Sequence, residues 1–307
     1  MGKNIKYGVV GVGHLGKFHV QQIQNVKGAV LCGIYDVNFN VSSSVAESQN
    51  TKAYESLEGL FAACDAVSVV VPTPHHNQIA TLALQSGCHV FIEKPITDNV
   101  NDARLLVSLA EKKEKKIQVG HIERFNPAYK SFVEKKHSPL FIECHRLAPF
   151  NVRGSDVAVV LDLMIHDLDL VLSLVKQEIV DLHASGASIV SNHIDLANAR
   201  IVFEGGVTAN LTASRVSTKQ MRQMRVFEKN CYSLIDFDKQ SVNVVQINPN
   251  KTFSSSQKTI EKGNALLWEL DSFVECIITD SLVQVTGDMG VRVLEVAMNI
   301  QDIIEKQ

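Results

Sequence analysis

Three glycines, Gly11, Gly13 and Gly16, form the pattern G-x-G-x-x-G directly after an apolar run at 5–10. The first glycine permits a tight turn, the second lets the backbone approach a pyrophosphate, and the third allows a helix to pack closely on a strand. The backbone N–H groups that begin such a helix face the phosphates. The pattern therefore predicts a dinucleotide-binding turn. Two of its three variable positions, His14 and Leu15, are also expected to face the cofactor.

An aspartate, Asp36, follows the next apolar run, 30–35, about 20 residues beyond the last glycine. A carboxylate at this position accepts hydrogen bonds from the adenosine ribose and repels a 2′-phosphate. No arginine occurs at 37–40 to receive such a phosphate. The sequence therefore predicts NAD rather than NADP as the cofactor. The alternative is a glycine turn in an α/β protein that binds no nucleotide.

Two further apolar runs, 66–71 and 89–92, are each followed by polar residues. Ligands of doubly wound sheets bind beyond the carboxyl ends of the strands, so both loops are expected to border the cofactor. Lys94 precedes a proline in the second loop and is predicted to exchange a proton with a substrate hydroxyl, although a surface lysine is the alternative. The other residues predicted to contact the cofactor from these loops are Pro72, Thr73, His76 and Glu93.

A polar seam interrupts the apolar stretch 157–175. On a helix, Asp162 and His166 are four residues apart and share one face, which Asp169 and Ser173 continue. A solvent-facing seam is the alternative, but such seams usually carry Lys and Glu. The composition of this one favours a cleft, where His166 would exchange a proton with a substrate hydroxyl and Asp162 would orient the imidazole or bind the substrate.

No metal site is predicted. The adjacent side chains of His75 and His76 cannot easily converge on one ion, and no third ligand is evident.

The elements that must position these residues alternate along the first 120 residues. Strands are predicted at 5–10, 30–35, 66–71, 89–92 and 117–120, with helices near 14–25, 76–86 and 101–113. The strands are rich in Val and Ile and nearly unbroken, which is typical of strands buried on both faces. The pattern predicts an α/β fold, with an N-terminal Rossmann domain built on a doubly wound parallel sheet.

Beyond residue 121 the pattern changes. A helix near 157–174 is followed by predicted strands at 180–190, 195–203, 207–213, 222–227 and 232–237. Successive strands with little intervening helix predict an α+β domain with an open, mainly antiparallel sheet. The polar stretch 248–263 is predicted to be an exposed loop, and helices near 265–279 and 288–306 finish the chain.

Composition limits the functional classes. The 307 residues include 30 Lys and Arg against 33 Asp and Glu, so no global charge attracts nucleic acid or an anionic membrane. No apolar run is long enough to span a bilayer, and the N-terminus carries no recognisable signal peptide. The 6 cysteines form no C-x-x-C pair, which is typical of reduced thiols and predicts a cytoplasmic protein.

The glycine turn at 11–16, the E-K-P at 93–95 and the D-x-x-x-H at 162–166 together resemble the Gfo/Idh/MocA family of oxidoreductases. The resemblance implies a Rossmann domain over 1–120, on which a C-terminal helix at 288–306 packs back. It also implies a substrate-binding domain over 121–287, whose sheet commonly joins the subunits of a homodimer or homotetramer. By position, the family's catalytic residues match Lys94, Asp162 and His166.

Two further segments, 120–127 and 153–162, are similar to family members that act on nucleotide sugars. This similarity implies NAD-dependent oxidation of a ring hydroxyl, at C3, of a nucleotide-activated amino sugar such as UDP-N-acetylglucosamine. Positive charge for the pyrophosphate would come from Arg124, Arg146, Arg153 and Arg215, with Arg124 favoured, although each has a structural or surface role as its alternative. The predicted substrate-binding residues are Arg124, Asn126, Arg153, Asp162 and His166.

Three alternative functions remain open at this level. The first is a dehydrogenase of a free sugar or inositol on the same fold. The second is an enzyme resembling biliverdin reductase or dihydrodiol dehydrogenase, which would lack the full Asp162 and His166 pair. The third is a non-catalytic NAD-sensing regulator, which would need no proton-transfer residues.

Overall fold

The computed structural model describes residues 4–151, 154 and 157–307. The chain divides into two compact units. The first contains Met1–His121 and Asn264–Arg292, and the second contains Ile122–Gly263 and Val293–Gln307. No helix among the described residues is long and apolar enough to cross a lipid bilayer.

Strands and helices alternate along the first 120 residues. The strands are β1 (Ile5–Val10), β2 (Ala29–Tyr35), β3 (Ala66–Val69), β4 (His89–Glu93) and β5 (Ile117–Gly120). The helices are α1 (His14–Ile23), α2 (Phe39–Ser48), α3 (Leu57–Ala63), α4 (His76–Gln85) and α5 (Val100–Lys112). The predicted Rossmann architecture is confirmed, and α2 and α3 are two helices that the apolar pattern did not predict.

The five strands of this unit form one parallel sheet in the order β2-β1-β3-β4-β5. The chain order reverses beside β1, because β2 lies on one side of it and β3 on the other. Ligands of open α/β sheets bind at such a reversal, beyond the carboxyl ends of the strands. Ligand binding is therefore expected at the residues that follow β1 and β3.

The rest of the chain carries most of its strands in succession. After α6 (Pro127–Val133) and β6 (Phe141–Leu147), a π-helix at Val160–Met164 continues into α7 (Ile165–Leu174). The remaining strands are β7 (Ile179–Ala187), β8 (Leu196–Phe203), β9 (Thr208–Ser214), β10 (Met221–Glu228), β11 (Cys231–Asp236), β12 (Ser241–Ile247) and β13 (Phe253–Lys258). The helices α8 (Ala265–Thr279) and α9 (Gly287–Glu305) follow.

These eight strands form one sheet in the order β13-β12-β11-β10-β6-β9-β8-β7. All neighbours are antiparallel except β6 and β9, which confirms the predicted open, mainly antiparallel sheet. One correction concerns 248–263, because β13 occupies part of this predicted loop. Its residues are all exposed and polar apart from Phe253, so their composition resembles that of a loop although the backbone pairs with β12.

The segment that returns to the first unit differs from the expected one. Leu270 and Phe273 of α8 pack beside Tyr7 of β1 and Phe91 of β4, so α8 belongs to the Rossmann unit. From Val293 onward, α9 instead contributes apolar side chains to the core of the second unit. The expectation that the last helix as a whole packs on the first unit is therefore corrected.

A buried ion network holds α7 in the second unit. The guanidinium of Arg146 on β6 donates to both carboxylate oxygens of Asp167 and to Oε1 of Glu123. The side chains of Arg146 and Asp167 are each only 3% exposed. Burial raises the pKa of the Asp167 carboxyl, and the adjacent guanidinium opposes this shift. The network stabilises the position of the helix that carries His166, because removing one partner would leave a buried charge uncompensated.

Replacement of Arg146 by Met should therefore lower the free energy of unfolding by about 3–5 kcal/mol, measured by urea denaturation. The matched control is Lys258→Met on strand β13. Lys258 pairs with Glu134 at 2.7 Å, but the two side chains are 39% and 66% exposed. This control should leave the free energy of unfolding nearly unchanged. Equal losses in the two variants would contradict the importance of the buried network.

Candidate functional site

The glycine turn after β1 is formed by close backbone contacts. Gly11 has a φ of +85°, a left-handed conformation that favours glycine, and a Cβ there would lie 2.5 Å from the carbonyl oxygen of Val70. A Cβ on Gly16 would overlap the carbonyl oxygen of Gly11. By contrast, no atom of the described residues lies within 4 Å of the position that a Cβ on Gly13 would occupy. The first and third glycines thus close the turn, and the second leaves its backbone open to a ligand.

The carboxylate of Asp36 lies at the end of β2 and supports the same turn. One of its oxygens accepts from the backbone N–H of Val12 at 2.9 Å, and the other accepts from that of Asn38 at 3.0 Å. Each carboxylate oxygen has further lone pairs, so the group retains the capacity to accept from ribose hydroxyls. The side chain predicted to bind the ribose is therefore held beside the glycine turn.

A cavity of about 400 Å³ opens at this edge of the sheet. It is bordered by the backbone of Gly11 and Gly13, by Asp36, and by apolar residues from the ends of β2 and β3. Pro72, which is predicted to contact the cofactor, also lines this cavity, and the histidine that lines it is His75 rather than His76. A concave, largely apolar site with a few oriented polar groups is typical of a cofactor pocket. The open backbone at Gly13 and the carboxylate of Asp36 fit a dinucleotide.

His76 has a different position from the predicted one. It is 1% exposed, and its ring nitrogens lie 2.8 Å from the carbonyl oxygens of Val71 and Pro95. Burial lowers the pKa of this imidazole. His76 therefore links the loops that follow β3 and β4. The prediction that it contacts the cofactor directly is corrected to this linking role. The other predicted turn residues, His14 and Leu15, are exposed at the start of α1, and Thr73 is partly exposed.

Lys94 directly follows β4 and is partly exposed. Its backbone N–H donates to Oε2 of Glu93 at 3.3 Å, and Oε1 of Glu93 accepts from Nε2 of His19 at 2.9 Å. Although burial alone would raise the pKa of the Glu93 carboxyl, the hydrogen bond from His19 brings it below its ordinary value. The carboxylate next to Lys94 is therefore charged and held by two donors. The sequence pattern did not predict that His19 takes part in this site.

In the second unit, Asp162 lies within the π-helix and His166 in the first turn of α7. Both side chains are partly exposed. π-Turns within helices frequently occur at functional sites. The expected polar seam is shorter than predicted, because Asp169 is completely buried and Ser173 donates to the carbonyl of Leu170. Of the four predicted seam residues, Asp162 and His166 remain the candidates for chemistry.

Most of the arginines predicted to attract a pyrophosphate are engaged within the second unit. Arg124 forms a bidentate pair with Asp169, with two N–O distances of 2.7 Å. Arg146 belongs to the buried network described above, and Arg215 is 4% exposed and donates to the backbone carbonyls of Gly154 and Val157. The predicted residue Arg153 lies outside the described part of the chain.

Asn126 likewise has a structural position. Its side-chain oxygen accepts from the N–H of Ala128 and caps α6, and its amide nitrogen donates to Glu123 and to the carbonyl of Phe237. Asn126 is 6% exposed, and these bonds satisfy the donor and acceptor atoms of its side chain without a substrate. Its predicted role as a substrate ligand is therefore corrected. Among the described residues, no group of three His, Cys, Asp or Glu side chains is placed to hold a metal ion.

Comparison with known proteins gives matches along both units. Residues 5–121 match the model of an oxidoreductase family with an NAD-binding Rossmann fold, GFO_IDH_MocA, and residues 146–230 match the GFO/IDH/MocA C-terminal domain. The chain is 35% identical to UDP-N-acetylglucosamine 3-dehydrogenase of Acidithiobacillus ferrooxidans, over 98% of each protein. The solved structure of that enzyme superposes with a TM-score of 0.94, over 99% of this chain and 98% of the other.

More distant relatives act on cyclitols. Inositol 2-dehydrogenase of Corynebacterium glutamicum is 28% identical over 59% of this chain and 57% of its own length. The structure of scyllo-inositol dehydrogenase from Lactobacillus casei with NAD(H) and scyllo-inositol superposes with a TM-score of 0.82 at 22% identity, covering 99% of this chain and 98% of that one. At this identity the likeness shows the fold alone.

The glycine geometry predicts opposite effects for two substitutions. Gly16→Ala should lower the melting temperature and abolish NADH binding, because its methyl group would overlap a carbonyl oxygen of the turn. Gly13→Ala should leave the melting temperature unchanged, yet weaken NADH binding at least about 10-fold, through loss of a backbone contact to phosphate worth about 1.5–3 kcal/mol. Thermal unfolding and NADH fluorescence titration measure the two effects. Unchanged NADH affinity in Gly13→Ala would show that no phosphate approaches this residue.

Proposed function

The chain belongs to the Gfo/Idh/MocA family of NAD-binding oxidoreductases, and from this premise we propose that it oxidises the C3 hydroxyl of UDP-N-acetylglucosamine to the 3-keto sugar. The observation that carries the proposal is the identity of 35% along 98% of the chain with an enzyme of that activity. The inositol dehydrogenase relative matches over a smaller share of the chain, at lower identity. Oxidation of a free sugar or inositol is therefore the second candidate.

The residues that would hold NAD lie in the first unit. The open backbone at Gly13 and the N–H groups at the start of α1 would bind the pyrophosphate. The carboxylate of Asp36 would accept hydrogen bonds from the adenosine ribose, and the apolar residues that line the cavity would exclude water. When bound, NAD supplies the acceptor for the hydride that leaves the sugar carbon.

The chain itself must remove the proton of the sugar hydroxyl. Lys94 or His166 would take this proton as the C3 hydrogen leaves with its electron pair, and the electron pair of the broken O–H bond would become the second bond of the C3 carbonyl. Asp162 would orient the imidazole or bind the substrate. By position these three residues match the catalytic residues of the family, and this match supports their assignment to one reaction.

We assign recognition of the UDP diphosphate to Arg153. Arg124 and Arg146 are each neutralised by buried carboxylates, and Arg215 is committed to backbone carbonyls. Arg153 lies outside the described residues, and its assignment rests on the similarity of the segment 153–162 to family members that act on nucleotide sugars. The net charge of −3 offers no general attraction for an anionic substrate, so its binding would depend on such local charge.

We propose that the protein acts in the cytoplasm, since its 6 cysteines are free thiols, as expected in a reducing compartment.

Lys94→Ala should lower kcat with UDP-N-acetylglucosamine and NAD by about 100-fold to 10,000-fold, the range expected for loss of a general acid or base. NADH should still bind, because the glycine turn and Asp36 are untouched. NADH formation and fluorescence titration measure these two quantities. The matched control is Lys112→Ala, an exposed lysine in the last turn of α5, which should behave as wild type. Wild-type turnover by Lys94→Ala would exclude Lys94 from the reaction.

We also propose that the protein is a homo-oligomer whose subunits meet through the eight-stranded sheet. Three aromatic side chains, Phe141, Phe227 and Tyr232, cluster on neighbouring strands with ring centroids 6.2 Å and 5.5 Å apart. All three remain partly exposed in the single chain. Burial of such an apolar cluster against a second copy would stabilise a dimer.

Phe227→Asp should therefore convert the oligomer to monomers, as measured by light scattering after size-exclusion chromatography. The aspartate would place a charge inside the proposed interface. Leu105→Asp is the control, because Leu105 is 68% exposed on α5 of the first unit. A wild-type protein that is already monomeric, or an unchanged oligomer in Phe227→Asp, would contradict this interface.

A further inference from the structure

A chain of buried polar groups runs through the first unit and ends beside Lys94. The hydroxyl of Tyr7 lies 2.9 Å from that of Ser68, and the Ser68 hydroxyl lies 3.1 Å from Nδ1 of His19. Nε2 of His19 donates to Glu93 at 2.9 Å, and the other carboxylate oxygen of Glu93 accepts from the backbone N–H of Lys94. The chain thus joins β1, β3, α1 and β4.

The surroundings of Glu93 are built to hold a carboxylate. Gly120 is its partner in the register of β4 with β5, and a Cβ on that residue would lie 2.9 Å from Oε2 of Glu93. The absence of a side chain at Gly120 therefore leaves the space that the carboxylate occupies. Both neighbours of the carboxylate, the imidazole and the Lys94 amide, act as donors. A carboxylate satisfies two donors with its two acceptor oxygens, whereas a glutamine amide has only one acceptor oxygen and a donating NH₂ group.

His19 connects this carboxylate to the glycine turn. It lies on α1, the helix that begins directly after the turn, and is 2% exposed. Its ring also packs edge-on against Phe91, with centroids 5.3 Å apart. Burial raises the pKa of the Tyr7 phenol, so Tyr7 stays protonated, and either hydroxyl of the Tyr7–Ser68 pair can be the donor. The ring of His19 is therefore fixed by contacts on both nitrogens and one edge.

We propose that His19 and Glu93 are positioning residues for Lys94. Their hydrogen bonds fix the backbone of Lys94 relative to α1, the helix that follows the glycine turn. This inference rests on the proposed function, since it assigns Lys94 a part in the reaction. Neither residue needs to exchange a proton with the substrate. Their contribution is orientation, and a displacement of about 1 Å at a reacting group lowers turnover by about 100-fold.

Two substitutions of similar size test the hydrogen bond from His19. His19→Leu removes both ring nitrogens, whereas His19→Gln retains a side-chain N–H that can reach Glu93. His19→Leu should lower kcat by about 10-fold to 100-fold with little change in the NAD KM, and His19→Gln should restore most of the loss. Glu93→Gln should lower kcat as much as His19→Leu does. The glutamine amide would place its own N–H group against the N–H of either His19 or Lys94, where no acceptor would remain. Equal losses in His19→Leu and His19→Gln would overturn the proposal.

Substitutions farther along the chain separate positioning from stability. Ser68→Ala removes the partner of Nδ1, and Tyr7→Phe removes only the last hydroxyl. If the chain positions Lys94, the loss in kcat should decrease with distance from Lys94, in the order His19→Leu, Ser68→Ala, Tyr7→Phe. A purely structural role would instead make the loss in kcat follow the loss in melting temperature. That second result would contradict the inference.

A readout that needs no turnover distinguishes failure of this inference from failure of the proposed function. Reductive methylation with ¹³C-formaldehyde labels the lysine amines, and the resonance that is missing in Lys94→Arg identifies Lys94. In His19→Leu this resonance should move, and in His19→Gln it should stay near its wild-type position. An unmoved resonance in His19→Leu overturns the positioning role even if UDP-N-acetylglucosamine is oxidised. A moved resonance without any sugar turnover supports positioning and contradicts the proposed function.

Discussion

The contact between Gly16 and the carbonyl oxygen of Gly11 brings the start of α1 against the end of β1 so closely that no side chain fits between them. This approach exposes the helix N-terminus at the carboxyl edge of the sheet, where its N–H groups can meet phosphate. It also brings Val12 within reach of Asp36 on the neighbouring strand. The same helix carries His19 to Glu93. The cofactor turn and the loop that bears Lys94 thus depend on one backbone contact.

The second unit carries His166 on α7, a helix whose other residues are mostly buried. Asp167 and Asp169, the neighbours of His166 in sequence, pair with Arg146 and Arg124. Breaking a buried ion pair is costly, so these two pairs fix the rotation of α7 about its own axis. Both arginines thus hold the helix that carries His166.

Much of this structure could be predicted from local sequence. The glycine spacing and Asp36 predicted the cofactor turn, because their roles depend on steric requirements that a short segment reveals. Periodicity predicted both sheets but missed β6, β12 and β13, and the exposed residues of β13 are polar apart from Phe253. It also took the segment around Asp162 for an ordinary helix, since the extra residue of a π-turn leaves no signal in apolar spacing.

Pairings over long sequence distances could not be predicted. The partners of Arg124 and Arg146 lie 45 and 21 residues away, and the residue that His19 contacts lies 74 residues away. One signal was available for His19, which falls on the buried face of α1 with Gly16, Val20 and Ile23. A polar ring on an apolar helix face requires a partner, but only the fold identifies that partner as Glu93.

We propose that this chain oxidises a UDP-activated amino sugar with NAD. The most direct test compares kcat/KM for UDP-N-acetylglucosamine, free N-acetylglucosamine and myo-inositol, following NADH formation and the mass of the product. We expect a product lighter by two hydrogens and a preference for the UDP-sugar of at least about 100-fold, since the diphosphate would add charge-assisted hydrogen bonds of about 1.5–3 kcal/mol each. Equal or faster oxidation of a free sugar or inositol, or NADH binding without turnover on any of the three, would contradict it.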